Sequence, residues 1–330
     1  MSATKPVNGN SSLKEKVMKP PAADVSILDS VQAKADAHID RGRPELNIAK
    51  DNTTFKGRLL FYIYHTILIA VYSLYSIFRL FQYAQNKIRV KFLNLAYNPA
   101  KTPQIIRDDM TKLSKLPKRI SAILNFKSEE EEGGGYYGLL NDASELVTWT
   151  VAAGISSLSI YQYDGTLKGN VEDLRVAVYK KLTDYFGANY TPTFVIKVPH
   201  LNEVYYGLNN DNDEQYKLAD ISIEISLLSS VDGKPTIVEL TKTMAELASK
   251  GEISHKDVTV SLIDKELTAL IGQEPDLLIL FTPTLDLQGY PPWHIRLSEF
   301  YWEPDNEDVT YAIFLRALQK YSTCKINIGK

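Results

Sequence analysis

The sequence predicts an α/β fold, a mostly parallel sheet flanked by helices and preceded by one transmembrane helix. Three observations carry this. The run 59–78 is apolar and free of formal charge at the length that spans a bilayer. From residue 102 onward, short β-rich runs alternate with helical stretches, as in β–α–β units. Those short runs lack period-two polarity, as strands covered on both faces do.

In chain order, residues 1–57 are rich in Ser, Pro, Lys, Asp and Ala without sustained apolar periodicity, and read as a disordered segment. LLFYIYHTILIAVYSLYSIF follows, with Lys56 and Arg58 before it and Arg79, Lys87, Arg89 and Lys91 after it. Tyr62, Tyr64, Tyr72, Tyr75 and Tyr83 are placed to set phenols near the headgroups. A signal peptide would begin near residue 1, and a core helix apolar nearly all round would need a protein shell, so 58–83 is assigned to a transmembrane helix. His65 has no ionisable partner in the run and reads as an interfacial or helix-contact residue. The similar positive flanks leave orientation open, and sequons at Asn10, Asn52 and Asn189 offer a test of it.

Residues 84–101 place Ile88, Lys91, Phe92 and Leu95 near one face of an amphipathic membrane-proximal helix or linker, ended by Pro99 and Pro103. One domain, 102–330, accounts for the rest, with alternating β-rich and helical runs at 120–124, 141–153, 158–161, 171–186, 193–198, 221–227, 236–249, 277–281 and 309–321. Residues 128–135 (SEEEEGGG) and 207–215 (GLNNDNDEQ) read as mobile loops. Consecutive carboxylates repel and do not by themselves define a metal geometry.

Composition removes several functions. Lys+Arg 37 against Asp+Glu 40 gives no basic excess for a nucleic-acid backbone. A single cysteine, Cys324, allows neither an internal disulfide nor a Cys/His zinc cluster. No GxSxG, GxGxxG or P-loop pattern occurs. His200 and His294 lack neighbours that mark a triad and read as structural, and Asp164-Gly165 reads as a turn before it reads as a catalytic acid.

PDLLILFTPTLDLQGYPPWHIRLSEFYW, residues 275–302, resembles the C-terminal signature of the cis-prenyltransferases, enzymes that lengthen polyprenyl diphosphates. LPKRISAIL resembles that family's first strand, NDASELVTWTVAAGISSLSIYQYDG its first helix and second strand, and IEISLLSSVDGKPTIVELTKTMAELASKGEIS a later strand and helix. The resemblance therefore implies a cis-prenyltransferase-like fold over nearly all of 102–330. The departures bear on activity. Where active members read His-x5-Asp-Gly-Asn, this chain has Arg119 and then Asn125-Phe126-Lys127, so the magnesium-positioning carboxylate is missing. Where they carry two arginines and a serine for the condensing substrate's diphosphate, it has Leu280, Asp286 and Gln288. Departure of an allylic diphosphate needs fixed positive charge and magnesium to stabilise the developing anion, so the resemblance implies a domain inactive alone and without a metal site of its own.

This pattern resembles the non-catalytic subunits of eukaryotic dehydrodolichyl diphosphate synthase, of the Nogo-B receptor and yeast type. The resemblance implies a transferase subunit in the endoplasmic reticulum membrane, with a cytosolic soluble domain. Its partner would be a catalytic cis-prenyltransferase that binds Mg2+ and condenses isopentenyl diphosphate onto farnesyl diphosphate, making the dolichol precursor for protein glycosylation. It further implies that the C-terminal tail, through Asn327 and Gly329, reaches the partner's diphosphate site, although Asn327 stands where the family has Arg. Trp293, Ile295, Leu297, Phe300, Tyr301 and Trp302 are then the candidate partner interface, and Leu315 and Leu318 core. The alternative is a membrane receptor or scaffold that keeps the fold only as a protein-binding surface.

Overall fold

A computed structural model describes residues 55–96, 102–208 and 220–324. The chain divides into two compact units, Met1–Leu74 and Tyr75–Lys330. The segment assigned to disorder lies outside the described residues except for 55–57, which are helical; so do most of the loop 207–215 and the tail with Asn327 and Gly329.

Helix α1, Phe55–Ala96, is 42 residues long and runs unbroken through the boundary expected at 83/84. Among the described residues it is the one helix long and apolar enough to cross a membrane, and its apolar window is wholly exposed. In the second unit the 75–96 part of α1 turns polar side chains toward the domain. Arg79 donates to both carboxylate oxygens of Asp305 at 2.6 and 3.1 Å and Asn86 donates to Asp305 at 2.8 Å, while Val90 is buried.

The domain is built on one seven-stranded sheet in the order β4-β3-β5-β2-β1-β6-β7. The strands are β1 Arg119–Leu124, β2 Ser157–Gln162, β3 Phe194–Val198, β4 Glu203–Tyr206, β5 Ile223–Leu228, β6 Leu277–Phe281 and β7 Glu299–Trp302. All neighbours are parallel except β3 and β4, and parallel pairing requires crossovers over the sheet faces. Those crossovers include α3 Gly135–Ala152, α4 Val171–Phe186, α5 Lys234–Ser249 and α6 Val260–Ile271, with α2 Pro103–Thr111 before the sheet and α7 Tyr311–Thr323 after it.

Successive side chains of a strand point to opposite faces, and β6 shows how both faces are filled. Leu277, Ile279 and Phe281 join a core with Leu146 and Val147 of α3, Leu174 and Val178 of α4, and Phe314, Leu315 and Leu318 of α7. Leu278 and Leu280 join a second core with Leu267 and Ile271 of α6 and with Tyr290. This is why β6 carries no polar alternation; β2 and β5, against the expectation, do alternate over their first four residues, with Ser157, Ser159, Glu224 and Ser226 only half-buried.

Four elements were not apparent in the sequence pattern. Pro103, expected as a terminator, sits in the first turn of α2, where a missing N–H costs nothing. Helix α3 starts at Gly135, six residues before the expected 141, because it is buried on nearly every side and so shows little periodicity. The twelve-residue helix α6 was also unexpected, as were strands β4 and β7, whose four residues each carry too little pattern to be read.

Candidate functional site

The crossover from β1 runs to β2 on one side and that from its neighbour β6 runs to β7 on the other, so the connections leave these two adjacent strands in opposite directions. A crevice outside the carboxyl ends of strands at such a point is where open α/β sheets bind ligands. Here it is a cleft of about 370 Å3 lined by Leu124, Asn125 and Phe126 after β1, Gln162, Tyr163 and Asp164 after β2, and Asp286 and Gln288 after β6.

The loops around it are tightly braced. Gly165, with φ +73°, closes the turn after β2 in the left-handed region that suits glycine, and the Thr166 amide donates to Gln162 Oε1 at 2.6 Å. Lys168 Nζ then reaches across to the loop after β5, 2.6 Å from Asp232 Oδ2 and 3.2 Å from Ser229 Oγ. In that same loop a Cβ on Gly233 would lie 2.2 Å from the Gly289 carbonyl, so only glycine permits the approach. Gln288 has φ +49°; its carbonyl accepts from the Tyr161 hydroxyl at 2.5 Å and its amide donates to Asp286 Oδ1 at 2.9 Å. Burial pushes the Tyr161 phenol above its ordinary pKa, so it stays a donor at neutral pH.

The lining contains two carboxylates, Asp164 and Asp286, and no Lys or Arg. The nearby lysines are engaged: Lys168 on Asp232, and Lys127, its side chain only 9% exposed, on Asp308 at 2.8 Å. A diphosphate placed here would meet negative charge with no fixed cation to offset it. Nor does the donor set fit a magnesium ion. The strand end carries the Asn125 amide, and among the described residues no three His, Cys, Asp or Glu side chains converge.

Of the residues singled out in the sequence, Asn125, Asp286 and Gln288 therefore meet in one cleft. Leu280 does not: it is fully buried in β6 and belongs to the core. Arg119 opens β1 at the opposite end of the sheet, its Nε donating to the Glu274 carbonyl. The aromatic segment is divided. Tyr301 is buried and donates to Glu303 at 2.8 Å; Trp293, Ile295 and Trp302 pack partly buried on the second core; Leu297 and Phe300 are exposed at 57% and 38%. His294 is buried and donates from Nε2 to the Gly272 carbonyl, and burial holds its pKa down. Gln162, Tyr163 and the Lys168–Asp232 brace had no motif to mark them, since only the folded loops bring them to Asn125.

No family model matches the chain. Among curated proteins, the dehydrodolichyl diphosphate synthase complex subunit NUS1 of Saccharomyces cerevisiae is 48% identical over 83% of this chain and 76% of its own length. The corresponding subunit of Schizosaccharomyces pombe is 35% identical over 79% of this chain and 96% of its own. A tritrans,polycis-undecaprenyl-diphosphate synthase of Methanocaldococcus jannaschii is 24% identical over 65% of this chain and 83% of its own.

Proposed function

Because this chain belongs to the family of dehydrodolichyl diphosphate synthase complex subunits, we propose that it is the membrane-anchored, catalytically deficient but required subunit of that synthase. Its partner is a catalytic cis-prenyltransferase, which binds the Mg2+ and condenses isopentenyl diphosphate onto farnesyl diphosphate. The observation that supports this reading is the cleft beyond the carboxyl ends of β1, β2 and β6: Asn125, Asp286 and Gln288 line it together with Asp164, and neither Lys nor Arg does. Transition states of diphosphate departure are stabilised by preorganised positive charge, which this crevice lacks.

What the chain contributes is then attachment and completion. The 59–78 run of α1 holds the complex in the endoplasmic reticulum membrane with the domain in the cytosol, beside a product whose many CH2 groups favour lipid by about 0.8 kcal/mol each. Exposed Leu297 and Phe300, backed by the half-buried Trp293, Ile295 and Trp302, form the partner-facing patch. Gly329 and Asn327 serve the partner's diphosphate site, glycine by letting the backbone approach and asparagine by its amide donor. The test is isopentenyl diphosphate incorporation by this chain alone, by the chain with its catalytic partner, and by that pair carrying Gly329→Ala. Activity confined to the intact pair is expected. Turnover by the chain alone overturns the deficiency, and equal activity with Gly329→Ala overturns the role of the tail.

A further inference from the structure

A second cleft, of about 500 Å3, lies away from the first, where Arg89 of α1 faces α7 and the residues following β7. Three cations line it, Arg89, Arg316 and Lys320, against one carboxylate, Glu303. Glu303 is shared between two ion pairs. Its Oε2 accepts the Tyr301 hydroxyl at 2.8 Å, and both guanidiniums stand 3.6 Å away, Arg89 from Oε1 and Arg316 from Oε2, beyond hydrogen-bond reach. Arg316 Nη1 is buried without a hydrogen-bond partner, and Lys320 Nζ lies 6.0 Å over the Tyr301 ring.

One carboxylate cannot neutralise three cations, and a buried guanidinium N–H without an acceptor is an unmet demand for an anionic oxygen. Tyr301, Trp302 and Pro304 supply an apolar wall beside it. We propose that this cleft binds a phosphorylated anion, with Arg316 Nη1 and Arg89 on its oxygens and Lys320 as an added point charge. Two sources carry that chemistry, the headgroup of an anionic phospholipid and a soluble phosphate ester. Arg89 belongs to the same helix as the apolar run, eleven residues beyond Phe78, so both are tested.

The experiment uses the full chain without a catalytic partner, so that no other subunit's diphosphate site is present. Inorganic diphosphate is titrated calorimetrically into the chain in non-ionic detergent, then in phosphatidylcholine nanodiscs with and without phosphatidic acid. One diphosphate should bind per chain, and Arg89→Gln and Lys320→Gln, both at solvent-accessible positions, should each weaken it about tenfold while the unfolding midpoint holds. Weaker diphosphate binding in the phosphatidic acid discs assigns the site to a lipid headgroup; equal binding in the two discs assigns it to a soluble phosphate. Absence of binding to the wild-type chain, or the same affinity in wild type and both variants, overturns the proposal and leaves the synthase reading untouched.

Discussion

Lys168→Met is the sharpest test of how the crevice is built. The Lys168 and Asp232 side chains are 10% and 2% exposed, with Nζ 2.6 Å from Oδ2. Without the lysine, Asp232 keeps only the Ser229 amide at 2.6 Å and the Ser229 hydroxyl at 3.2 Å. Removing one partner of a buried ion pair costs about 3 to 5 kcal/mol, and the two Ser229 donors offset part of it. The expected loss is thus about 3 kcal/mol, or roughly 6 to 12 °C in Tm for a domain of this size. Asp232→Asn should cost less, about 1 to 2 kcal/mol, because the ammonium can shift toward solvent on its flexible stem. The three tryptophans, Trp149, Trp293 and Trp302, all lie in 102–330, so fluorescence-detected unfolding of the full chain in detergent follows this domain without signal from the anchor. A loss below about 1 kcal/mol for Lys168→Met would refute the brace.

Burial pushes the Asp142 carboxyl up to about 6, with Asp308 and Glu145 adding to the rise and Lys127 opposing it. The folded chain therefore holds a proton that the unfolded chain, with a pKa of about 3.9, has released, and stability should fall as pH rises from about 4 to about 6. Asp142→Asn should flatten that part of the curve and stabilise the domain at neutral pH by about 1 to 3 kcal/mol; parallel denaturation curves for the two proteins would contradict this. Leu297→Asp with Phe300→Asp should leave the Tm of the chain unchanged while weakening capture of the catalytic partner by about thirtyfold, and undiminished co-purification removes the patch from the interface. Asn189, in the turn after α4, should carry no glycan in cells if the domain is cytosolic; a mobility shift on glycosidase treatment would reverse the topology. Phe314→Ala, at a fully buried side chain whose ring lies 5.9 Å from that of Trp149, should cost about 3 to 5 kcal/mol by the same fluorescence assay.

Much of this molecule was legible before folding because its signals are local. Bilayer length is a property of one uninterrupted run, and 59–78 carries it. Strands such as LLILF, buried at every position, announce themselves as β-branched and leucine-rich segments without polar alternation. The departures in the crevice were also legible, since a substitution at a family position is a one-dimensional fact: Asn125, Asp286 and Gln288 were named by counting along the resemblance to the family's motifs. The same counting named Leu280, which the structure buries in β6, because spacing along a loop does not say which side chains turn inward.

Tertiary structure decided what depends on contacts across long sequence separation. Lys168 meets Asp232 across 64 positions and Arg79 meets Asp305 across 226, and neither pair has a local signature. The division of 293–302 into core, half-buried support and exposed patch is set by the pairing of β7 with β6 for 299–302 and by the 3-10 turn Pro292–Ile295 before it. The cationic cleft of Arg89, Arg316 and Lys320 exists only where α1 lies against α7. A sequence records which charges a chain possesses and which runs can span, alternate or coil; the excess of charge at one place is set by packing, which alone determines how many cations share a carboxylate.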